Sequence, residues 1–236
     1  MKSNRMKIAF ISDIHSNIFA LNSVYEDLNS EKVERIFIAG DLIGYYYWPK
    51  DVIDLIRSDD RFLCIAGNHE KILNQVISSN EEAEKYKKKL GSGYQYCIEQ
   101  LSNNDIDWLS NLPDELSVSF DDKSIFIKHG NLNSINTYLY PDEQREKILA
   151  NYSDSKVTVF GHSHYPFIHS NNNRYIINPG SVGQPRDVGG LASYVVYNTD
   201  NDAVRFKRLP FDTKKVIDAV ESIDPEHSYL KDIMKR

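Results

Sequence analysis

Over the first seventy residues, short apolar runs alternate with stretches whose apolar positions recur at helical spacing. Ile8, Ala9, Phe10 and Ile11 predict a buried strand. Ile18, Leu21, Val24, Tyr25 and Leu28 mark one face of a helix, and residues 36–39 predict a second buried strand. Pro49 suits the first turn of the next helix, where its missing N–H would have no partner anyway. That helix presents Val52, Ile53 and Ile56, and residues 62–66 follow as a third strand. A βαβαβ order of this kind predicts a parallel sheet covered by helices, with right-handed crossovers and functional loops at the carboxyl ends of its strands.

From about residue 70 to 112 the pattern is helical and highly charged, with breaks at Gly91 and Gly93. It reads as a helical insertion over one rim of the sheet, its charged run 81–89 forming a solvated face. Runs rich in β-formers return at 116–120, 124–128, 157–160, 174–177, 194–197 and 204–209, interrupted by one helix at 142–150. The second half is therefore expected to hold more strands and more antiparallel pairs than the first. No repeat or long linker divides the chain, so residues 1–236 are expected to form a single domain.

Composition narrows the function classes. With 236 residues and 41% hydrophobic content, the chain can bury a real core. A formal net charge of -6 removes the bulk attraction on which sequence-independent binding to duplex nucleic acid depends. The apolar run that follows Lys7 is only about four residues long, against roughly seven to fifteen in a signal peptide core. No later stretch approaches a membrane span, so the expected location is the cytoplasm. Cys64 and Cys97 stand too far apart for a zinc ribbon or a disulfide framework and are expected as buried free thiols.

The candidate chemistry lies in five short motifs, each just after a predicted strand. They are Asp13-Ile14-His15, Gly40-Asp41, Gly67-Asn68-His69-Glu70, His129-Gly130 and Gly161-His162-Ser163-His164. Strand ends of such a sheet converge on one edge, so these distant residues can meet in one cleft. Five of the seven histidines fall in these motifs. If the segments are extended, residues i and i+2 point the same way, which would aim Asp13 with His15, and His162 with His164, into that cleft. Imidazole, carboxylate and amide oxygen without thiolate suit Mn, Fe, Zn, Co or Ni better than an all-oxygen Mg site. Seven candidate ligands exceed what one such ion takes and suit two ions sharing a carboxylate. Two divalent ions with two carboxylates leave about +2, a charge that lowers the pKa of water and attracts a phosphoryl group.

These five ordered motifs resemble those of the calcineurin-like metallophosphoesterase superfamily, over about residues 7–187. The resemblance implies an α/β (α+β) fold, a four-layer sandwich of two mixed β-sheets flanked by helices. It implies one metal on Asp13, His15, Asp41 and His164, a second on Asp41, Asn68, His129 and His162, and His69 as the catalytic histidine. Manganese leads the expected ions, ahead of Fe, Zn, Ni and Co. Gly44-Tyr45 and the segment 178–187 further resemble a compact bacterial and archaeal subgroup of phosphodiesterases and phosphatases. The G-D-x-V-D-R-G pattern of protein Ser/Thr phosphatases and symmetric dinucleoside tetraphosphate hydrolases is not continued here, which counts against both activities.

The expected function is thus dinuclear hydrolysis of phosphate esters. A metal-bridging hydroxide would attack phosphorus in line, and His69 would protonate the leaving oxygen. A small phosphate ester or nucleotide is the expected substrate, with Arg186 as a candidate phosphate contact; a surface ion pair is the alternative role for that arginine. Tyr45, Tyr46, Tyr47 and Trp48 are candidates for a stacking surface, the alternative being packing under the next helix or a subunit contact. A homo-oligomer is possible. The competing classes are a binding scaffold of the same fold, as in the retromer subunit, a dinucleoside polyphosphate hydrolase, and a nuclease.

Overall fold

Both faces of strand Lys7–Ile11 (β1) are covered, which is why it reads as an unbroken apolar run. Ile8 and Phe10 point into one apolar cluster, Ala9 and Ile11 into another. The computed structural model of the protein describes residues 6–120 and 122–236. Helix Ile18–Ser30 (α1) follows β1, its start capped by Asn17, whose side-chain oxygen accepts the Ala20 N–H at 3.2 Å. Its Ala20, Leu21, Val24 and Leu28 are buried. Strand Arg35–Ile38 (β2), helix Pro49–Arg57 (α2) and strand Phe62–Cys64 (β3) complete the βαβαβ unit, and β1, β2 and β3 pair in parallel.

Residues 68–110 form four helices: Asn68–Ser78 (α3), Asn80–Leu90 (α4), Gly93–Gln100 (α5) and Asn103–Ser110 (α6). The chain continues through strands Glu115–Phe120 (β4) and Lys123–Lys128 (β5), and helix Arg145–Leu149 (α7). Strands Val157–Phe160 (β6), Phe167–Asn171 (β7), Arg174–Asn178 (β8), Leu191–Asn198 (β9) and Ala203–Pro210 (β10) come next. Helices Thr213–Ile223 (α8) and Ser228–Asp232 (α9) follow, and a short 3-10 turn, Ile233–Lys235, closes the order.

The strands build two mixed five-stranded sheets, ordered β10-β9-β1-β2-β3 and β4-β5-β6-β8-β7. Their facing sides share one core, in which Phe10, Phe37 and Val195 of the first sheet meet Ile125, Ile127, Val159 and Ile177 of the second. Helices pack on the outer side of the first sheet, and α7 helps to cover the second through Ile148, Phe160 and Ile176. This is the expected sandwich of two mixed sheets flanked by helices. Among the described residues no helix is long and apolar enough to cross a membrane.

Three features depart from the sequence reading. The expected helix 142–150 is only Arg145–Leu149. Strand β7 was not expected, because at a sheet edge its residues alternate between half-buried and exposed and carry little apolar signal. Its hairpin to β8 turns through Asn172 and Asn173, both at positive φ (47° and 61°), and that Asn-Asn pair was the available cue. The C-terminal helices were also missed, although Val216 and Val220 are spaced four apart behind the capping residue Asp212.

Those helices explain the aromatic loop after β2. Tyr46 and Tyr47 are buried against Val216, Val220, Leu230 and Ile233. The Tyr46 hydroxyl donates to the Leu230 carbonyl (3.0 Å) and the Tyr47 hydroxyl to Asp224 Oδ2 (2.9 Å). Trp48 packs edge-on against Phe19, with centroids 4.7 Å apart. The expectation that Tyr46 touches substrate is therefore corrected, since it is 0% exposed and anchors the C-terminal helices, while half-buried Trp48 packs on α1.

Asp224 joins the helices 68–110 to the C-terminal end, since it also accepts from the Ser92 N–H (2.8 Å) and the Ser92 hydroxyl (2.7 Å) while 1% exposed. Asp224→Ala strands three buried donors and is expected to cost about 2–4 kcal/mol. Urea unfolding of the variant beside wild type checks this, and a loss under about 1 kcal/mol would show that the contact is replaceable.

Candidate metal centre

The loops that leave β1, β2, β3, β5 and β6 meet on one edge, and they are stitched together through their backbones. The N–H groups of Asp13, His15 and Ser16 donate to the carbonyls of Gly40, Asp41 and Leu42. Asp13, His15, Asp41, His162 and His164 all have left-handed backbone, with φ from 50° to 69°. The expected extended pairs are thus not extended: each ligand-type side chain is aimed by a turn at its own residue. Asp and His tolerate this region better than branched residues, yet the geometry costs about 1–2 kcal/mol per residue. It persists because the surrounding hydrogen bonds over-determine it. Gly44 (φ 90°) serves the same closeness, since a Cβ there would stand 2.2 Å from His69 Nδ1.

The side chains form two triads, and a third group of His15, Asp41 and His69 overlaps both. Asp13, His15 and His164 bring their ligand atoms within 4.8 Å of one another, and so do Asp41, His129 and His162. His164 Nε2 lies 3.3 Å from Asp13 Oδ1 and 3.1 Å from His15 Nε2. In the second triad His129 Nε2 lies 3.3 Å from Asp41 Oδ2, 3.0 Å from Asn68 Oδ1 and 3.1 Å from His162 Nδ1. Asp41 Oδ2 is also 3.8 Å from His15 Nε2, so one oxygen faces both triads. All seven candidate ligands and His69 are gathered in one place.

Backbone carbonyls set the tautomers. The Nδ1–H groups of His15, His129 and His164 donate to the carbonyls of Ile43 (3.2 Å), Ala39 (2.7 Å) and Gln184 (2.7 Å). A carbonyl only accepts, so in the neutral ring each Nε2 turns its lone pair inward, the arrangement by which a metal-binding histidine is oriented; at His129 a bound cation would take the place of the proton that the carboxylates hold there. Two carboxylates, 0% and 1% exposed, stand among these nitrogens. Burial alone would raise the pKa of Asp13 and Asp41, but the imidazoles around them and their hydrogen bonds hold both well below the usual range. His129 feels the converse: burial opposes its charge, yet Asp41 and Asp13 push it up to about 9. Such a field of convergent lone pairs and carboxylates fits divalent cations.

A second layer holds the first. The Glu70 carboxylate, 1% exposed, accepts from the backbone N–H groups of Gly67 (2.7 Å), Asp41 (3.0 Å), Leu42 (2.9 Å) and Ile43 (3.3 Å). On the other side Ser181 Oγ donates to the Asp13 carbonyl (2.7 Å), and Asn178 Nδ2 donates to the Gly161 carbonyl (2.8 Å). The segment 178–184 therefore holds ligand loops in place. Glu70 had a cue, as the last letter of the Gly-Asn-His-Glu motif.

His69 is buried and its pKa is pushed down to about 4, by burial first and then by neighbouring imidazoles, against the pull of Asp41. Its Nδ1 lies 2.7 Å from the hydroxyl of Tyr94, whose ring stacks on it at 5.7 Å. Burial keeps that phenol protonated well above its ordinary range. The Tyr94 hydroxyl thus faces Nδ1 and also reaches the His69 carbonyl at 3.4 Å, which fixes the ring in place. No motif announces Tyr94, which arrives from α5 in the helices 68–110.

Over the ligands lies a cleft of about 130 Å³, lined also by Tyr45, Lys89, Tyr138 and Arg186. Tyr45 meets His15 and His69 at centroid distances of 4.7 and 4.8 Å, so of the aromatic loop it alone faces the ligands. Burial disfavours charge on Arg186, but Tyr229, Tyr45 and Tyr138 around it more than restore it.

A two-sheet sandwich with paired His and carboxylate triads at its strand ends defines a metal-binding phosphoesterase class. The chain belongs to the calcineurin-like phosphoesterase superfamily, whose domain description matches residues 6–202. It is similar to an uncharacterized protein of Methanocaldococcus jannaschii, 31% identical over 230 residues, covering 90% of this chain and 91% of that one. Among solved structures it resembles a metallophosphoesterase from Sphaerobacter thermophilus, with TM-score 0.77, 26% identity and 98% of each chain covered. It shares its fold with a hypothetical protein from Pyrococcus horikoshii, with TM-score 0.82, 20% identity and 98% of each chain covered.

Glu70→Ala frees four backbone donors of two ligand loops and is expected to weaken divalent-ion binding by about 10–100-fold, as loss of an outer support does elsewhere. Calorimetric titration of stripped variant and wild type with Mn²⁺ measures it. Unchanged affinity would mean that the loops hold themselves.

Proposed function

We propose that the protein is a dinuclear metal-dependent hydrolase of phosphate esters, a phosphodiesterase or phosphatase. The observation that carries this reading is the pair of triads faced by one oxygen of Asp41, with His69 beside them. Asp13, His15, Asp41 and His164 would hold one cation; Asp41, Asn68, His129 and His162 the other. The donor set of imidazole, carboxylate and amide suits Mn first, and also Fe, Zn, Co or Ni. Two such cations supply Lewis acidity and make water a stronger nucleophile near neutral pH.

The chain's own residues do the rest. Lys89 and Arg186 draw the anionic ester into the cleft. Tyr138, stacked on His162, keeps solvent from that side of the cluster. His69, neutral, donates its Nε2–H as a hydrogen bond to the leaving oxygen and stabilises the charge that develops there until solvent protonates it, and Tyr94 at Nδ1 holds the ring in place. The substrate is a small phosphate ester; the net charge of -6 opposes binding to nucleic acid in bulk.

Metal-replete protein is expected to hold two divalent ions per chain, and chelation to abolish hydrolysis of an activated phosphodiester. Asp41→Ala should empty both positions, whereas Asn68→Ala should weaken one. Elemental analysis showing at most one ion in fully active protein would sink the dinuclear reading.

His69→Asn should keep both ions and lose about 10²–10⁴-fold in turnover with a poor leaving group, and far less with p-nitrophenolate. Tyr94→Phe keeps the ring stack and removes only the hydroxyl, so its smaller loss, on the order of tenfold, should follow the same leaving-group dependence. A loss equal across leaving groups would leave positioning, or charge stabilisation away from the leaving oxygen, as the role of His69.

A further inference from the structure

Arg186 lines the cleft over the metal ligands and also a larger cavity beside it, of about 730 Å³. Tyr140, Tyr165 and Tyr229 wall that second cavity, with Arg236 and Asp142 among its lining. Its volume falls in the range of small-molecule sites, roughly 300–1,000 Å³, whereas the cleft alone is too small for more than a phosphoryl group.

A ladder of rings leads from one space to the other. Tyr138 stacks on His162 at 4.0 Å with planes 6° apart, and Tyr140 stacks on Tyr138 at 5.5 Å and 21°. Tyr165 then meets Tyr140 edge-on at 5.8 Å. The Arg186 guanidinium sits 6.0 Å from the Tyr138 centroid, and its buried Nε has no protein partner. Tyr138 and Tyr229 are 39% and 41% exposed, so their rings are open to a ligand. A third cavity of about 330 Å³ shares Asn68, Tyr138 and His162 with the cleft and carries Lys89, with Lys71 ion-paired to Asp114 at its rim. Two spaces with positive charge thus adjoin the cleft, as an ester with two substituents requires.

We propose that Tyr138, Tyr140, Tyr165 and Arg186 form a subsite for a planar aromatic group on the phosphate, such as a nucleobase, so that the substrate is a nucleotide-type phosphodiester. The inference rests on the hydrolase reading above and names its substrate class. Arg186, between the two spaces, pairs with a phosphoryl oxygen. The base stacks on the tyrosines beyond it, a contact that tolerates any base because every base has a π-face. The second substituent lies in the third cavity, beside Lys89.

The test compares two substrates with one leaving group, p-nitrophenyl thymidine 5′-phosphate and methyl p-nitrophenyl phosphate, on Mn-loaded protein. The kcat/KM ratio should favour the thymidine ester at least tenfold, and Tyr140→Ala and Tyr165→Ala should each lower that ratio by about tenfold. The ratio cancels losses common to both substrates, and the two variants guard against one that does not fold. In a binding arm, calorimetry should show thymidine 5′-monophosphate held about tenfold tighter than ribose 5-phosphate, with the difference lost in both variants. A wild-type ratio near one, or a ratio that neither variant moves, overturns the subsite while leaving the hydrolase reading intact. If neither ester turns over with any divalent ion, the hydrolase reading fails, and the binding arm alone decides the subsite.

Discussion

Two buried carboxylates, Asp13 and Asp41, set the problem that the rest of the molecule answers. Charges out of water cost several kcal/mol each unless they are paired. Here the nearest groups are imidazoles whose outer nitrogens are already committed to backbone carbonyls. Beyond the His129 ring that they hold protonated, the partners of the right sign and size would be cations, and the donors that converge on this edge fit divalent ones. The same charge accounts for the high pKa of His129 and for the position of Arg186 and Lys89 around the cleft.

Holding that cluster requires loops that would not adopt these shapes alone. The left-handed ligand residues are kept in place by a backbone stitch between the β1 and β2 loops, by Glu70 beneath one side and by the segment 178–184 beneath the other. The strain sits at the cluster, and the hydrogen bonds that offset it sit one layer out. Both sheets contribute, so the shared core between them also fixes the distance between the two triads.

Aromatic residues divide the remaining work by depth. Tyr46, Tyr47 and Trp48 fasten the C-terminal helices and α1. Tyr94 and Tyr45 contact His69, and Tyr138, Tyr140 and Tyr165 line the way out of the cleft. Helices 68–110 supply Tyr94 and Lys89 to the centre, and their tie to Asp224 connects that supply to the end of the chain.

The sequence by itself determined the parallel βαβαβ unit, most of the strands, and which residue types stand at the strand ends, because these depend on local periodicity and short motifs; the second sheet followed only from the family resemblance those motifs carry. Ile8 to Ile11 could be read as buried on both faces from four letters, and His162 with His164 as a candidate pair from their neighbours. Only the tertiary structure decided which faces the motifs present: strand alternation does not aim the Asp13–His15 and His162–His164 pairs, since each of those residues turns at its own left-handed backbone. It also decided that the conspicuous aromatic run 45–48 is mostly structural while Tyr138 lines the cleft and Tyr140 and Tyr165 line the cavity beside it. Tyr94 and His69 stand 25 residues apart and meet only because α5 folds back over the sheet edge. Contacts between elements distant in sequence leave no local period to read, and it is those contacts that complete the site.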